Sequence, residues 1–295
     1  MTAQRSEGKY LLLPLAAAII WGLAFVFQRD VTRYLGTFSF GTARFLLGAF
    51  SQLSVILIRQ RRPGAVRLSL KDAPGGCVVG AALFIASALQ QEGLRYMGAG
   101  QGAFLSALYV VLVPVIGLIF GNRVSVLHWA ALGLSVPALY LLCVTEGGFT
   151  FNGAVLLELG SAVFWALQIL STDHFGRKRD STCLCFFEFL SCGIFYLIAL
   201  LITETPTLQG YLDALPAILY VGIMSTAVAF TLQTIGQKHT NPAHAALLLS
   251  LESVFSVLGG AALLGEKMTV AGYIGCVLML GAVLLSQFSG GKRNA

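Results

Sequence analysis

Glu252 sits in the middle of a long apolar stretch, 242–264, and is the residue best placed to do chemistry. If that stretch crosses a membrane, an ionisable group in it costs roughly 2.5–3.5 kcal/mol and normally faces a cavity or a partner. A carboxyl there can carry a proton, or pair with a ligand's amino group when ionised. His244 lies eight residues before Glu252, so the two share a helical face, and Gln101 and Tyr109 repeat that spacing within 99–120. Glu158, Ser161, Trp165, Gln168 and Thr172 make one polar stripe along 153–173, as Trp21, Phe25 and Gln28 do along 10–28. These faces converge on one aqueous pathway, to which Gln90, Gln233 and Ser253 add further polar groups.

Each of these residues has a blander reading. Glutamines in apolar helices often only join helix to helix, at about 0.6 kcal/mol each. Arg44 and Glu188 fall within two turns of their helix starts, where long side chains snorkel or pair in a mutual salt bridge. They are therefore read as structural or gating charges. Glu158 can sit by the lipid headgroups as an early-turn residue. Tryptophans gather at membrane interfaces, but Trp21 and Trp165 lie about eleven and twelve residues into their stretches, too deep for a belt.

Enzymatic motifs are absent. Gly98, Gly100 and Gly102 lack the preceding strand and spacing of a dinucleotide fingerprint. There is no His-Glu-x-x-His, no phosphate-binding Walker loop and no Gly-x-Ser-x-Gly elbow. The six cysteines show no four-ligand spacing. No cofactor and no metal are expected, and His128, His174, His239 and His244 are scattered along the chain.

The composition sets these residues on membrane helices. Of 295 residues 57% are hydrophobic and 11% charged, with mean hydropathy +0.81. A soluble domain carries about 25% charged residues to wet its surface. Ten apolar runs are predicted, near 10–28, 38–58, 74–92, 99–120, 126–144, 153–173, 183–202, 213–236, 242–264 and 269–288. Each is long enough for ~30 Å of hydrocarbon. The first follows Arg5 and Lys9 but runs too far to be a signal peptide, and is read as a retained helix. Fourteen lysines and arginines fall on the side of both termini against four on the other, which puts both termini in the cytoplasm. The net charge of +6 is topogenic, and no nucleic-acid partner is expected.

The second half repeats the first at an offset of 144 residues, slipping to 143 in the middle. Trp21 falls on Trp165, Arg44 on Glu188, Phe45 on Phe189, Gln90 on Gln233, Gly121 on Gly265 and Ser125 on Thr269. Each half holds five runs, so the second enters the membrane the opposite way round. The predicted fold is all-α, ten transmembrane helices in a 5+5 inverted-topology repeat. Such repeats give a transporter two related ways of opening, with the site near the midplane.

Several segments carry a family resemblance: Trp21-Gly22-Leu23-Ala24-Phe25-Val26, Ala43-Arg44-Phe45, Gly102 to Tyr109 with Pro114 beyond, and Ala246 to Phe255 closing on Leu264-Gly265-Glu266-Lys267. Their order and duplication resemble the EamA-type drug/metabolite transporters over nearly the whole chain. The resemblance implies a cytoplasmic terminus at 1–9, EamA-type repeats at 10–145 and 153–288 joined by a linker at 146–152, and a cytoplasmic tail at 289–295. Helices 1–4 and 6–9 would surround the cavity, with helices 5 and 10 outside. The chain departs from the family pattern at Ser253, where a proline is usual, and at Gly121-Asn122, where Gly-Glu is usual. The function implied is secondary transport of a small metabolite, an amino acid or related compound, by export across the plasma membrane. Uptake of a vitamin or nucleoside is the first alternative, and an intramembrane enzyme or receptor the second. The partners expected are a small-molecule substrate and the lipid bilayer. Proton or ion coupling and a homodimer are left open.

Overall fold

A computed structural model describes residues 2–61, 67–119, 124–143, 152–177, 179–265 and 269–287. Expectations resting on Arg62, Gly121-Asn122-Arg123, the 146–148 turn, Lys178, Glu266-Lys267 and the 289–295 tail fall outside the described residues. Among those described, every regular element is helical. Eight helices are long and apolar enough to cross a membrane: α1 (Tyr10–Val31), α2 (Thr37–Gln60), α3 (Leu70–Gly93), α4 (Ala99–Ile119), α6 (Gly153–Gly176), α7 (Ser181–Thr203), α8 (Leu215–Gln237) and α9 (Pro242–Leu263). Two shorter apolar helices, α5 (Val126–Leu141) and α10 (Val270–Leu285), complete the set. The chain is a multi-pass membrane protein.

The helix starts follow from sequence. Asn152, Asp180 and Asn241 each turn a side-chain oxygen onto the first free amides of α6, α7 and α9. Pro242 then occupies the first turn of α9, where its missing N–H is no loss.

Helices α2 and α7 run antiparallel and are tied at both ends. At one end Glu204, just past α7, accepts hydrogen bonds from Phe38 N (3.0 Å) and Ser39 N (2.8 Å), satisfying the open N-terminus of α2. At the other, Arg59 holds both oxygens of Asp180, at 3.2 and 2.9 Å. Burial pushes the Asp180 carboxyl up, but the bonds from Arg59 and from the Thr182 and Cys183 amides outweigh it and hold it below its usual range. Arg179 adds a third tie across the halves, to Asp72.

Close approach between helices rests on small residues. A Cβ on Gly22 of α1 would lie 2.3 Å from Phe255 Cβ and 2.8 Å from the Glu252 carbonyl on α9. Gly76 and Gly80 do the same for α3 against α7. Helices α5 and α10 pack chiefly on each other, to one side of the bundle. Val270, Tyr273, Ile274, Val277, Leu280 and Leu284 give α10 an exposed apolar face suited to lipid.

Three irregularities matter for the site. Helix α4 breaks at Leu108, between Ala99–Ala107 and Tyr109–Ile119. Helix α9 breaks at Ser250-Leu251, between Pro242–Leu249 and Glu252–Gly259. The two breaks fall at matching places in the repeat, where the offset is 143 residues and Tyr109 falls on Glu252. Helix α8 widens to a π-helical stretch over Tyr220–Ala229, a form concentrated at functional sites.

Candidate functional site

The two breaks bring the first residues of their following segments together. Tyr109 donates its phenolic hydrogen to Glu252 Oε1 at 3.0 Å. This pair closes one wall of a narrow cavity lined by Trp21, Phe25 and Gln28 from α1, Arg44 from α2 and Gln90 from α3. Tyr109 (α4), Trp165, Gln168 and Ile169 (α6), Ser225, Phe230 and Gln233 (α8) and Glu252 (α9) complete the lining. The cavity is small, about 30 Å³.

The walls divide into an aromatic side and a polar side. Phe230 meets Trp21 edge-on at 4.8 Å and stacks on Trp165 at 6.1 Å. On the polar side Arg44 donates from Nη1 to Gln28 Oε1 (2.8 Å) and from Nε to Thr226 Oγ1 (3.2 Å), and lies 4.6 Å over the Phe45 ring. Gln233 donates to Gln168 Oε1 (3.2 Å), and Gln168 donates to Glu188 Oε1 (2.9 Å). The Trp21 indole donates to the Ser225 carbonyl at 3.0 Å.

Two features point to a ligand. Arg44 and Glu252 bear opposite charge when ionised, yet among the described residues neither has an ionic partner within 4.0 Å. Three buried polar atoms of the lining, Trp165 Nε1, Ser225 Oγ and Gln233 Oε1, have no hydrogen-bond partner among the described residues. Buried polar atoms are paired in the great majority of cases.

Nine of the twelve residues expected to bind substrate line the cavity: Trp21, Phe25, Gln28, Gln90, Tyr109, Trp165, Gln168, Gln233 and Glu252. Gln101, His244 and Ser253 do not. Gln101 and His244 share a helical face with Tyr109 and Glu252, but eight residues is about 12 Å along a helix, which removes them from the cavity's depth. His244 stacks instead on His128, with ring centroids 4.9 Å apart, so two of the scattered histidines meet. Ser253 is fully buried and donates back to the Ser250 carbonyl at 2.5 Å, bracing the break. Arg44 lines the cavity and makes no salt bridge with Glu188, which sits behind the wall on Gln168. Glu158, 0% exposed, is buried among the helices and not turned outward. Helices α5 and α10 contribute nothing to the lining, and neither does α7, which backs it. Ile169, Ser225 and Phe230 were not anticipated; Ile169 and Phe230 are ordinary apolar residues of their helices, and the π-helical turn that presents Ser225 has no residue-type signal.

A multi-pass helical bundle with a polar and aromatic cavity at the breaks of two helices has the architecture of a membrane transporter. The chain belongs to the EamA-like transporter family, within the drug/metabolite transporter superfamily; the family pattern matches residues 8–144 and again 152–288. It is 30% identical over 270 residues to an uncharacterized transporter of Archaeoglobus fulgidus, covering 91% of this chain and 82% of that one. The uncharacterized transporter YvbV of Bacillus subtilis is 25% identical over 291 residues, 96% of this chain and 92% of its own. A solved structure at 18% identity shares the fold with a TM-score of 0.77, over 95% of this chain and 97% of that one.

Proposed function

We propose that this chain is a secondary transporter that exports an amino acid or related small metabolite across the cell membrane, by alternating access around the cavity. The observation that carries the reading is the presence of Arg44 and Glu252, each without an ionic partner, on the walls of one aromatic-lined cavity. A zwitterion offers a carboxylate to Arg44 and an ammonium to Glu252, and Trp21, Trp165 and Phe230 favour a cation over their faces. The unpartnered Trp165, Ser225 and Gln233 atoms supply further contacts.

On this reading the ten apolar helices all cross the membrane, as two repeats of five in opposite orientation, with both termini cytoplasmic. The sequence register and the matched breaks in α4 and α9 support that arrangement, and the charge bias supports the orientation. Outward direction rests on the family resemblance. Glu252 gives the cavity a group able to carry a coupling proton.

Vesicle flux with purified protein tests the proposal. Liposomes loaded with amino acids, nucleosides, vitamins and polyamines are followed by mass spectrometry. At least one solute should leave faster than from protein-free liposomes and leave chemically unchanged. A solute altered by the protein, or none moved, would overturn it.

A further inference from the structure

Two further carboxyls, Glu158 and Glu188, are buried outside the cavity lining with no ionic partner among the described residues, and Glu158 is the one tied to the wall through a hydroxyl. Glu158, in the second turn of α6, is 0% exposed. Its Oε2 accepts a hydrogen bond from Ser106 Oγ at 2.7 Å, with Ser161 Oγ at 3.3 Å, while its Oε1 has no partner. The slot it occupies is cut by glycines: a Cβ on Gly93 of α3 would come within 2.8 Å of the side chain, and one on Gly102 of α4 within 3.3 Å of Oε1. Ser106 Oγ in turn accepts from Gln90 Nε2 at 3.0 Å, and Gln90 lines the cavity. An unbroken chain of hydrogen bonds therefore runs from the cavity wall to the buried carboxyl.

Among the described residues, no ion pair reaches that carboxyl. On α3, Glu92 is turned to Thr37 and Arg95. On the second segment of α4, Tyr109 is turned to Glu252. On α7, Glu188 is held by Gln168, and on α9 His244 stacks on His128. On α6 itself, Asp173 is bound to Arg177. Helix α8 faces α6 with the neutral amides of Gln233 and Gln237.

We propose that Glu158 is a proton-binding site whose occupancy is relayed to the cavity through Ser106 and Gln90. The relay follows from hydrogen-bond count, because a hydroxyl has one hydrogen to give. With Glu158 ionised, Ser106 spends its hydrogen on Oε2 and accepts from the Gln90 amide nitrogen. Gln90 then keeps its oxygen for the cavity. In the relay a hydronium ion gives its proton to Oε2, the oxygen that faces Ser106, and leaves as water, and the new O–H then donates to Ser106 Oγ. Ser106 then turns its own hydrogen toward Gln90, and the amide must flip to accept it. The cavity now meets an amide N–H₂ where it met an oxygen. One proton is gained, no other covalent bond changes, and one wall residue turns from acceptor to donor. The coupling this gives to transport rests on the reading of the cavity as the substrate's path.

The test uses the full-length protein in lipid nanodiscs and needs no substrate, so its failure is separable from a failure to transport. Infrared difference spectra report protonated carboxyl groups through their C=O stretch as pH is lowered. Tryptophan emission reports the cavity wall, since Trp21 and Trp165 line it with Gln90. In the wild type the Glu158 stretch should appear with the same midpoint as a change in emission. Glu158→Gln should lose that stretch and the part of the emission change that shares its midpoint, while Ser106→Ala should keep the stretch and lose that part of the emission change. Unaltered spectra in Glu158→Gln would overturn the site. A full emission response in Ser106→Ala would overturn the relay, and that variant decides the matter if Glu158→Gln does not fold.

Discussion

At Glu252 a carboxyl is held in the bundle by one phenolic hydrogen bond, with no cation within ion-pair distance among the described residues. Glu252→Gln keeps the shape and a bond to Tyr109 while removing the charge. The variant should fold as the wild type by size exclusion and thermal melt. Its flux should fall about 10–100-fold or change its pH profile, since a hydrogen bond to a charged group is worth ~1.5–3 kcal/mol. Flux unchanged at every pH would remove Glu252 from the site. Most of this residue set was legible in the sequence because buried polarity in an apolar chain is conspicuous. What spacing could not supply was depth. A shared helical face placed Gln101 with Tyr109 and His244 with Glu252, and the rise of the helix separates both pairs.

At the scale of the helices, the site depends on how close α1 comes to α9. Gly22 lies against the Glu252 carbonyl and Phe255, where a Cβ cannot fit without a shift of backbone. Gly22→Val should destabilise the protein by about 1–3 kcal/mol, the usual cost of overpacking. It should lower the melting temperature in nanodiscs and also impair flux, because the displaced segment begins with Glu252. A melting temperature equal to the wild type would contradict the tight α1–α9 contact. The helices themselves were readable from apolar length and from caps such as Asp180 and Asn241. Their breaks were not. No glycine or proline stands at Leu108 or at Ser250-Leu251, and the π-helical stretch of α8 holds an ordinary apolar sequence.

For the whole molecule, the repeat register and the excess of basic residues on one side predict an orientation that labelling can check. Single cysteines on a cysteine-free background at Lys71→Cys and His239→Cys should react only from the cytoplasm. Those at Tyr96→Cys and Pro206→Cys should react only from outside; reaction of positions 71 and 96 from the same side would break the inverted arrangement. If solute crosses through the cavity, filling it should stop transport, and Ser225, on its wall with an unpartnered hydroxyl among the described residues, is the place to do so. Liposomes carrying wild-type or Ser225→Trp protein, matched for folded amount, are loaded with the same metabolite panel and followed for efflux. The solute released by the wild type should be retained by Ser225→Trp at close to the protein-free rate. Efflux through Ser225→Trp at the wild-type rate would mean that solute takes another path.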